Sequence, residues 1–400
     1  QYVWDEEGSR YLDAIGGIVT VSVGHCHPHV TAVAKQQMDL LQHSTTIYLH
    51  ENIAKYAKNF ASKFPGDLKV CYFVNSGSEA NDLAMLMARL HTGNADMIAL
   101  RNAYHGMSPS TMGLTAHHTW KYPVTQGTSV HHALCPDGYQ GPFKYDDPDM
   151  ASKYAWDVKN LIRTATTGSI AGFIAEPIQG VGGTVVMPQG YLEEVYGIVR
   201  EHGGVCISDE VQTGFGRTGT SFWDFENHGV VPDIVTCAKG IGNGIPLAAV
   251  VTTPEIAKSL AQKIHFNTYG GNPVASAVGN AVLDVIDKEH IQRRALELGG
   301  LLKEKLEDLQ KKYDFIGDVR GKGLMLGVEI VKDKKSRQPD GKTAALILEM
   351  LKENNLLIGK GGLDGNVLRI KPVMCLTAAD VEYIGQVMDI VCSSIDGFVA

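Results

Sequence analysis

The chain has 400 residues and a formal net charge of −8, from 36 Lys and Arg against 44 Asp and Glu. Hydrophobic residues make up 44% and charged residues 20%, an ordinary globular composition that excludes a disordered or coiled-coil protein. The acidic balance offers nucleic acid or an anionic membrane no general attraction, and no run approaches the roughly 20 apolar residues of a membrane span. No targeting peptide is visible in the first residues, and seven scattered cysteines without a CxxC pair indicate reduced thiols in a soluble intracellular protein.

Short apolar runs alternate with longer amphipathic segments from about residue 70 to residue 290, as is typical of strands separated by helices. The predicted strands, each buried on both faces, are Val70–Val74, Met97–Leu100, Ile170–Ala175, Val205–Ser208, Ile234–Cys237 and Ala248–Thr252. Helical spacing follows Ser76-Gly77-Ser78 and runs again from Tyr191 to His202. This alternation predicts an α/β fold with a mostly parallel sheet covered by helices.

The two ends of the chain depart from this pattern. Residues 1–30 look like strands and turns, and a long charged helix begins at Ile291 and ends at Tyr313. The predicted elements after it are a strand at Leu324–Ile330, a polar loop at Lys332–Lys342, a helix, a strand around Val367–Lys371 and a final helix. We therefore predict a large α/β domain at residues 40–290 and a smaller α+β domain at residues 291–400, completed by an N-terminal segment at residues 1–39.

The first candidate site lies where a buried strand runs through Ser76-Gly77-Ser78 into a helix. Such a turn leaves backbone N–H groups at the positive end of the helix, which suits a phosphate. The same residues could instead cap the helix, with Ser76 or Ser78 as the accepting oxygen. Taken alone, the pattern favours capping.

Two further polar residues stand at strand ends. Asp209 ends a predicted strand, where open α/β sheets place their ligands, and it could bind a metal, act as a base, hold a protonated ring nitrogen or cap the next turn. Lys239 ends another apolar strand and precedes the glycine-rich stretch 240–244. Because lysine is rarely buried, this position favours an amine that attacks a carbonyl over a surface lysine.

The three features together indicate more than each does alone. A phosphate site, a strand-end carboxylate and a strand-end lysine on one sheet are what pyridoxal 5′-phosphate requires. Lys239 would form the Schiff base, Asp209 would keep the pyridine nitrogen protonated, and the helix end would take the phosphate.

With these motifs the chain resembles the class III pyridoxal-phosphate aminotransferases of fold type I over essentially its whole length. The motifs that carry the resemblance are Tyr11-Leu12-Asp13, Gly24-His25-Cys26-His27-Pro28, Asn75-Ser76-Gly77-Ser78-Glu79-Ala80-Asn81, Tyr104-His105-Gly106, Ala175-Glu176-Pro177-Ile178-Gln179-Gly180, Asp209-Glu210-Val211-Gln212-Thr213-Gly214, Ala238-Lys239-Gly240 and Thr268-Tyr269-Gly270-Gly271-Asn272-Pro273. Within the family, residues 24–28, 239–244 and 317–325 are most similar to the mitochondrial alanine–glyoxylate aminotransferases of class III. The resemblance implies a mostly parallel, seven-stranded sheet covered by helices, plus the smaller α+β domain.

The resemblance also implies a role for each of eight residues. Lys239 would shuttle the proton between cofactor and substrate, Asp209 would pair with the ring nitrogen, and Gln212 would hydrogen-bond the phenolic oxygen. The remaining five are Gly77 and Ser78 for the phosphate, Tyr104 stacked on the ring, Thr268 reaching the phosphate from a neighbouring subunit, and Arg369 for the substrate carboxylate. A Thr268 that crosses subunits implies a homodimer or homotetramer with shared active sites, in which residues 1–39 contribute to the dimer contact.

One position departs from the pattern of the ornithine and 4-aminobutyrate enzymes. They carry a Glu where this chain has Val181, and that Glu pairs with the carboxylate-binding Arg. With Val181, Arg369 stays available in both half-reactions. We therefore expect alanine, glyoxylate, pyruvate and β-amino acids as substrates, but not ornithine, in a two-step reaction through aldimine and ketimine forms.

Other interpretations carry less support. His25, His27 and His29 alternate as metal ligands can, but the first two match a turn of the family, so no metal site is predicted. His117-His118 and His131-His132 are interpreted as solvated or interfacial loop residues. The alternatives for function are a phospho-lyase, aminomutase or decarboxylase with the same cofactor, and a non-catalytic scaffold. Mitochondrial residence is implied by the resemblance alone.

Overall fold

The computed structural model describes residues 1–399, with side chains through residue 396. The strands are β1 (Tyr2–Trp4), β2 (Arg10–Asp13), β3 (Val70–Val74), β4 (Met97–Leu100), β5 (Val130–Ala133), β6 (Gly172–Ala175), β7 (Ile178–Gln179), β8 (Val185–Val186), β9 (Val205–Asp209), β10 (Ile234–Cys237), β11 (Ala248–Thr252), β12 (Ile316–Lys322), β13 (Met325–Ile330), β14 (Leu356–Leu357), β15 (Gly359–Gly361) and β16 (Val367–Ile370). The helices are α1 (Gly16–Val19), α2 (Pro28–Leu40), α3 (Glu51–Ala61), α4 (Gly77–Thr92), α5 (Thr111–Leu114), α6 (Met150–Ala165), α7 (Tyr191–Glu201), α8 (Pro254–Ala257), α9 (Pro273–Lys288), α10 (Ile291–Lys312), α11 (Gly341–Glu353) and α12 (Ala378–Val399).

The largest sheet of the described chain has seven strands in the order β3-β11-β10-β9-β6-β4-β5. The pairs from β10 to β5 are parallel, and β11 is antiparallel to both of its neighbours, β10 and β3. Apolar side chains of α4 pack on one face of the sheet, and those of α6, α7 and α9 pack on the other. The predicted α/β fold, with a mostly parallel seven-stranded sheet covered by helices, is confirmed.

The C-terminal part of the chain forms a second, antiparallel sheet in the order β12-β13-β16-β15. Helices α10 and α11 pack against it, and α12 packs against these two helices. The N-terminal strands join this part of the chain, because β2 pairs in parallel with β14. The division into domains, with boundaries at residues 39 and 290, stays a prediction.

The loop interpretation of the two histidine pairs was wrong in part. His131 and His132 lie on β5, the edge strand that pairs with β4. An edge strand has a neighbour on one side only, so it does not need the continuous apolar run by which the other strands were recognised. His117 is 2% exposed and is thus buried, not solvated.

All seven cysteines lie in the described residues and are free thiols. Four of them are buried: Cys135, Cys206, Cys237 and Cys392. None of the described helices combines the length and the apolar character that crossing a membrane demands.

Candidate active site

Three strands of the large sheet deliver candidate residues to one edge. β3, β9 and β10 run in the same direction, so their carboxyl ends meet there. A cavity with a volume of about 150 Å³ lies at this edge. It is lined by Ser76, Gly77, Ser78, Asn81, Tyr104, His105, Gly106, Glu176, Asp209, Val211, Gln212 and Lys239.

The first turn of α4 faces this cavity with its positive end. Ser76 is the N-cap residue, and its hydroxyl accepts a hydrogen bond from the N–H of Glu79 at 3.2 Å. Ser78 instead accepts from the N–H of Met107 at 3.2 Å and lines the cavity beside Gly77. Of the two sequence alternatives, capping therefore applies to Ser76, while Gly77 and Ser78 remain placed to hold an anion.

Asp209 is held in one orientation by three neighbours. Its Oδ2 lies 2.7 Å from Nδ1 of His105 and accepts a hydrogen bond from Nδ2 of Asn81 at 2.8 Å. Its Oδ1 accepts from the N–H of Val211 at 3.1 Å. Burial alone would lower the pKa of His105, but the hydrogen bond and the charge of Asp209 outweigh it and raise that pKa. The pair thus presents a fixed, buried acid–imidazole unit to the cavity.

Lys239 follows β10 with a strained backbone. Its φ of +54° lies in the left-handed region, which costs a residue with a Cβ about 1–2 kcal/mol. Burial of the amine lowers its pKa to about 8, although Asp209 and Glu176 act in the opposite direction. The N-terminal segment holds the next residue in place, since the hydroxyl of Ser22 donates to the carbonyl of Gly240 at 2.8 Å. Strain of this kind concentrates at functional sites.

Glu176 connects the aromatic wall of the cavity to the loop that follows β6. Its Oε1 accepts from the N–H of Tyr104 at 3.1 Å, and its Oε2 accepts from the N–H of Gly180 at 2.7 Å. Burial raises the pKa of Glu176, and nearby His105 opposes that rise. The ring of Tyr104 is partly buried, with its centroid 5.1 Å from that of Trp120.

Arg369 and Thr268 do not line the cavity. Arg369, on β16, is buried and donates from Nη1 to the carbonyl of Gly180 at 3.2 Å and from Nε to the carbonyl of Lys360 at 3.1 Å. It therefore contacts Gly180, whose own N–H donates to the cavity residue Glu176. Thr268 is exposed in the loop before α9.

Six of the eight predicted site residues thus surround one cavity: Gly77, Ser78, Tyr104, Asp209, Gln212 and Lys239. The roles assigned to all eight stay predictions. Sequence reasoning gave no catalytic or cofactor-binding role to Asn81, His105, Glu176 or Lys371. For Lys371 a signal was present, since a lysine at the end of an apolar strand was the feature that singled out Lys239.

The alternating histidines each face a carboxylate of their own. His25 lies 2.7 Å from Asp13, and His27 lies 2.8 Å from Glu289. Across the described residues, no group of three or more His, Cys, Asp or Glu side chains is arranged to hold a metal ion.

Comparison with known proteins gives three informative similarities besides a family match. The family model "Aminotransferase class-III" matches residues 1–391. The alanine–glyoxylate aminotransferase 2 homolog 2, mitochondrial, of Arabidopsis thaliana is 54% identical over 389 residues, which cover 97% of this chain and 80% of the relative.

Two solved structures share the fold. A phospholyase from Arthrobacter in complex with phosphoethanolamine has a TM-score of 0.92 at 34% identity, over 98% of this chain and 92% of that one. An amine transaminase from an uncultivated Pseudomonas species, in its PLP-bound form, has a TM-score of 0.92 at 30% identity, over 98% and 93% of the two chains. The similarities span nearly the whole chain, so they concern the complete fold.

Proposed function

Since the chain belongs to the class-III aminotransferases and uses pyridoxal 5′-phosphate (PLP), we propose that it moves an amino group from alanine to glyoxylate or pyruvate. Similar small amino acids, including β-amino acids, are proposed as further donors. The family, the enzyme class and the cofactor predicted from the sequence are confirmed. The choice of alanine and glyoxylate is supported by the relative at 54% identity and by the apolar Val181 near Arg369.

The residues around the cavity fit PLP. The cofactor needs an anion site, an acidic partner for its ring nitrogen, a flat neighbour for its ring and an amine for its aldehyde. Gly77 and Ser78 at the start of α4 would hold the phosphate, Asp209 the ring nitrogen, Tyr104 the ring face and Lys239 the aldehyde carbon. All five line the same cavity. When bound, PLP supplies an aldehyde and a conjugated ring that accepts the electron pair released at the substrate carbon.

Lys239 is the proposed acid–base residue. With a pKa of about 8, its amine is partly neutral near neutral pH, so it can take a proton from the α-carbon of a bound amino acid and return it later. Asp209 lines the cavity, and its hydrogen bonds with His105 and Asn81 fix the orientation of its carboxyl group. A polar group oriented in advance lowers a barrier without reorganisation during the reaction.

Arg369 is proposed to bind the carboxylate of the substrate. Its planar guanidinium suits a bidentate partner, and its two hydrogen bonds to backbone carbonyls fix its plane. Val181 lies beside it: a Cβ added to Gly361 would meet both the Val181 carbonyl, at 2.7 Å, and Cδ of Arg369, at 2.9 Å. An apolar residue here leaves the guanidinium to the substrate.

A lyase reaction is the second candidate, favoured by the similarity to the Arthrobacter phospholyase. A lyase converts its amine without any keto acid, whereas a transaminase stalls after one turnover unless a keto acid is added. Turnover of alanine and of phosphoethanolamine, each with and without glyoxylate, separates the two.

We further propose that the chain forms a homodimer or homotetramer in which Thr268 serves a neighbouring cavity. The large apolar side chains Ile47, Tyr48, Leu49 and Ile264 are 70%, 71%, 99% and 97% exposed, and such surfaces mark interfaces. Mitochondrial residence is proposed because the plant relative is named mitochondrial.

The single observation that carries the proposal is that Lys239 and Asp209 line one cavity with the start of α4. The test is a visible absorbance band in the purified protein with PLP, followed by a panel of amino donors against glyoxylate and pyruvate. We expect the band to disappear in Lys239→Ala, and alanine to be turned over while ornithine is not. A Lys239→Ala protein that keeps both the band and the activity would overturn the proposal.

A further inference from the structure

Lys371 is a completely buried lysine next to the cavity. It follows β16, has 0% exposure, and its backbone N–H donates to the carbonyl of Ala14 at 2.8 Å. Its Nζ donates to the Gly180 carbonyl at 3.2 Å and to Oε1 of Gln212 at 3.2 Å. Removing a lysine amine from water costs free energy, so a buried lysine that makes two hydrogen bonds indicates a specific role.

The charges around Lys371 favour its neutral form. Burial lowers its pKa well below 10.5, Arg369 lowers it further, Glu176 opposes, and Lys239 and Arg217 add to the lowering. A neutral amine has two N–H bonds to donate. The two acceptors in contact, a backbone carbonyl and a carboxamide oxygen, match that number.

The contact with Gln212 determines which end of its carboxamide is free. A carboxamide has an accepting oxygen and a donating nitrogen that point apart. Since Oε1 is taken by Lys371, Nε2 is the end left to donate elsewhere, and Gln212 lines the cavity. Gly180 supports this arrangement, because a Cβ added there would lie 2.3–2.4 Å from three atoms of that carboxamide.

We propose that Lys371 is a positioning residue that fixes the carboxamide of Gln212 so that its N–H₂ group faces the cofactor. This rests on the proposed function, in which Gln212 hydrogen-bonds the cofactor ring. Lys371 also shares the Gly180 carbonyl with Arg369, but Arg369 has a further hydrogen bond, to the Lys360 carbonyl, that does not involve Lys371. The effect of Lys371 should therefore fall on cofactor binding more than on recognition of the substrate carboxylate.

The test compares Lys371→Met with wild type in titrations of the apoprotein with PLP. Met has the length of lysine without its donors, and Lys322→Met, on β12 of the same sheet, is the matched control. We expect Lys371→Met to weaken PLP binding about fivefold, the effect of one lost hydrogen bond, and to shift the visible absorbance of the bound cofactor. The KM for alanine should stay within about twofold, and Lys322→Met should match wild type.

A double variant tests whether Lys371 acts through Gln212. In a Gln212→Leu background, Lys371→Met should add little further loss of PLP affinity, because residues of one network are not additive. An equal loss in both backgrounds, or a KM that rises as much as the PLP dissociation constant, overturns the proposal in favour of a general structural role.

Gly180→Ala displaces the same carboxamide while Lys371 is kept, and it decides the matter if Lys371→Met does not fold. It should weaken PLP binding at least as much, and wild-type affinity in this variant contradicts the proposal. Crystal structures of the apoproteins separate this inference from the proposed function. If the wild type does not bind PLP through Lys239, the proposed function is wrong. If the Gln212 carboxamide keeps its wild-type orientation in apo Lys371→Met, only the positioning role of Lys371 is wrong.

Discussion

Lys239 combines a strained backbone with an amine whose pKa burial lowers to about 8. Only the neutral amine attacks a carbonyl, and an ordinary lysine with a pKa of 10.5 is almost wholly protonated at neutral pH. The lowered pKa therefore brings the reactive form into the working pH range. A lysine tuned in this way can serve first as nucleophile and then as base.

This tuning predicts the pH dependence of cofactor capture. The rate at which apoprotein covalently captures PLP should rise with pH through about 8 and level off roughly one pH unit higher, because about nine-tenths of the Lys239 amine is neutral there. Stopped-flow absorbance from pH 6 to pH 10 measures it, with Lys239→Ala as the blank. A rate that keeps climbing towards pH 10.5 would show an untuned lysine.

A second prediction at the residue scale concerns Val181. The main chain of Val181 lies near Arg369. We expect the carboxylate of Val181→Glu to form an ion pair with Arg369 that competes with the carboxylate of the substrate. We expect the KM for alanine to rise about tenfold, which corresponds to about 1.4 kcal/mol. Steady-state kinetics with Val181→Gln as the uncharged control measure it, and an unchanged KM would mean that Arg369 is not the carboxylate site.

At the scale of elements, the strand ends were the most predictable features. The bounds of β3, β4, β10 and β11 follow apolar runs that turn residues interrupt, so the sequence marks both ends of each strand. The edge strand β5 was not predicted, because His131 and His132 interrupt its apolar pattern. Pairing between strands also could not be predicted: β11 is antiparallel to both of its neighbours, although its composition resembles that of the parallel strands of the sheet.

The residues of the site likewise fall into those that the sequence could predict and those that it could not. Lys239 and Asp209 could be predicted because each is a charged residue at the end of an apolar run. The partners of Lys371 could not, since Gly180 and Gln212 lie far away in the sequence and meet it only in the folded chain. Local pattern thus indicates which residues are unusual, and tertiary packing determines what they contact.

The end of β9 also carries a testable electrostatic feature. Burial raises the pKa of Glu210 from 4.5 to about 8, and nearby Asp224 adds to the rise. The folded protein therefore holds a proton on Glu210 that the unfolded chain loses above about pH 4.5. Stability contributed in this way is present below that pH and declines as the pH rises towards 8.

We predict that the free energy of unfolding of the wild type falls by a few kcal/mol more between pH 5.5 and pH 8 than that of Glu210→Gln. Urea unfolding of the apoprotein at both pH values measures the difference. Glu226→Gln, an exposed change in the neighbouring turn, is the control and should keep the wild-type slope. Parallel slopes for all three proteins would mean that Glu210 titrates normally.

At the scale of the whole molecule, Thr268 is the residue that one chain alone leaves unexplained. It is exposed and does not line the cavity of its own subunit. If it serves a neighbour, two inactive variants can complement each other in a mixed dimer. One site then carries both changes and the other carries none.

Co-expression of Lys239→Ala with Thr268→Glu should restore about a quarter of the wild-type sites, since half of randomly paired dimers are mixed and each has one intact site. Glutamate at 268 repels a phosphate, so each variant alone should be inactive at limiting PLP. Activity of the unseparated mixture measures this fraction, and the mixed dimer purified with two different affinity tags should show about half of the wild-type activity per dimer. Mixed dimers without activity would place Thr268 outside the partner's site.

The left-handed backbone at Lys239 places a residue needed for catalysis in a conformation that lowers the stability of the fold. Glycine adopts this conformation freely and alanine does not, so apoprotein with Lys239→Gly should have a free energy of unfolding about 1–2 kcal/mol higher than apoprotein with Lys239→Ala. Elsewhere in folded elements glycine is the weaker choice of the two, which makes the order diagnostic. Calorimetry of the two dead variants reports it. A related protein without aminotransferase activity would gain stability by replacing this lysine with glycine. A lysine at this position therefore indicates that the activity is retained.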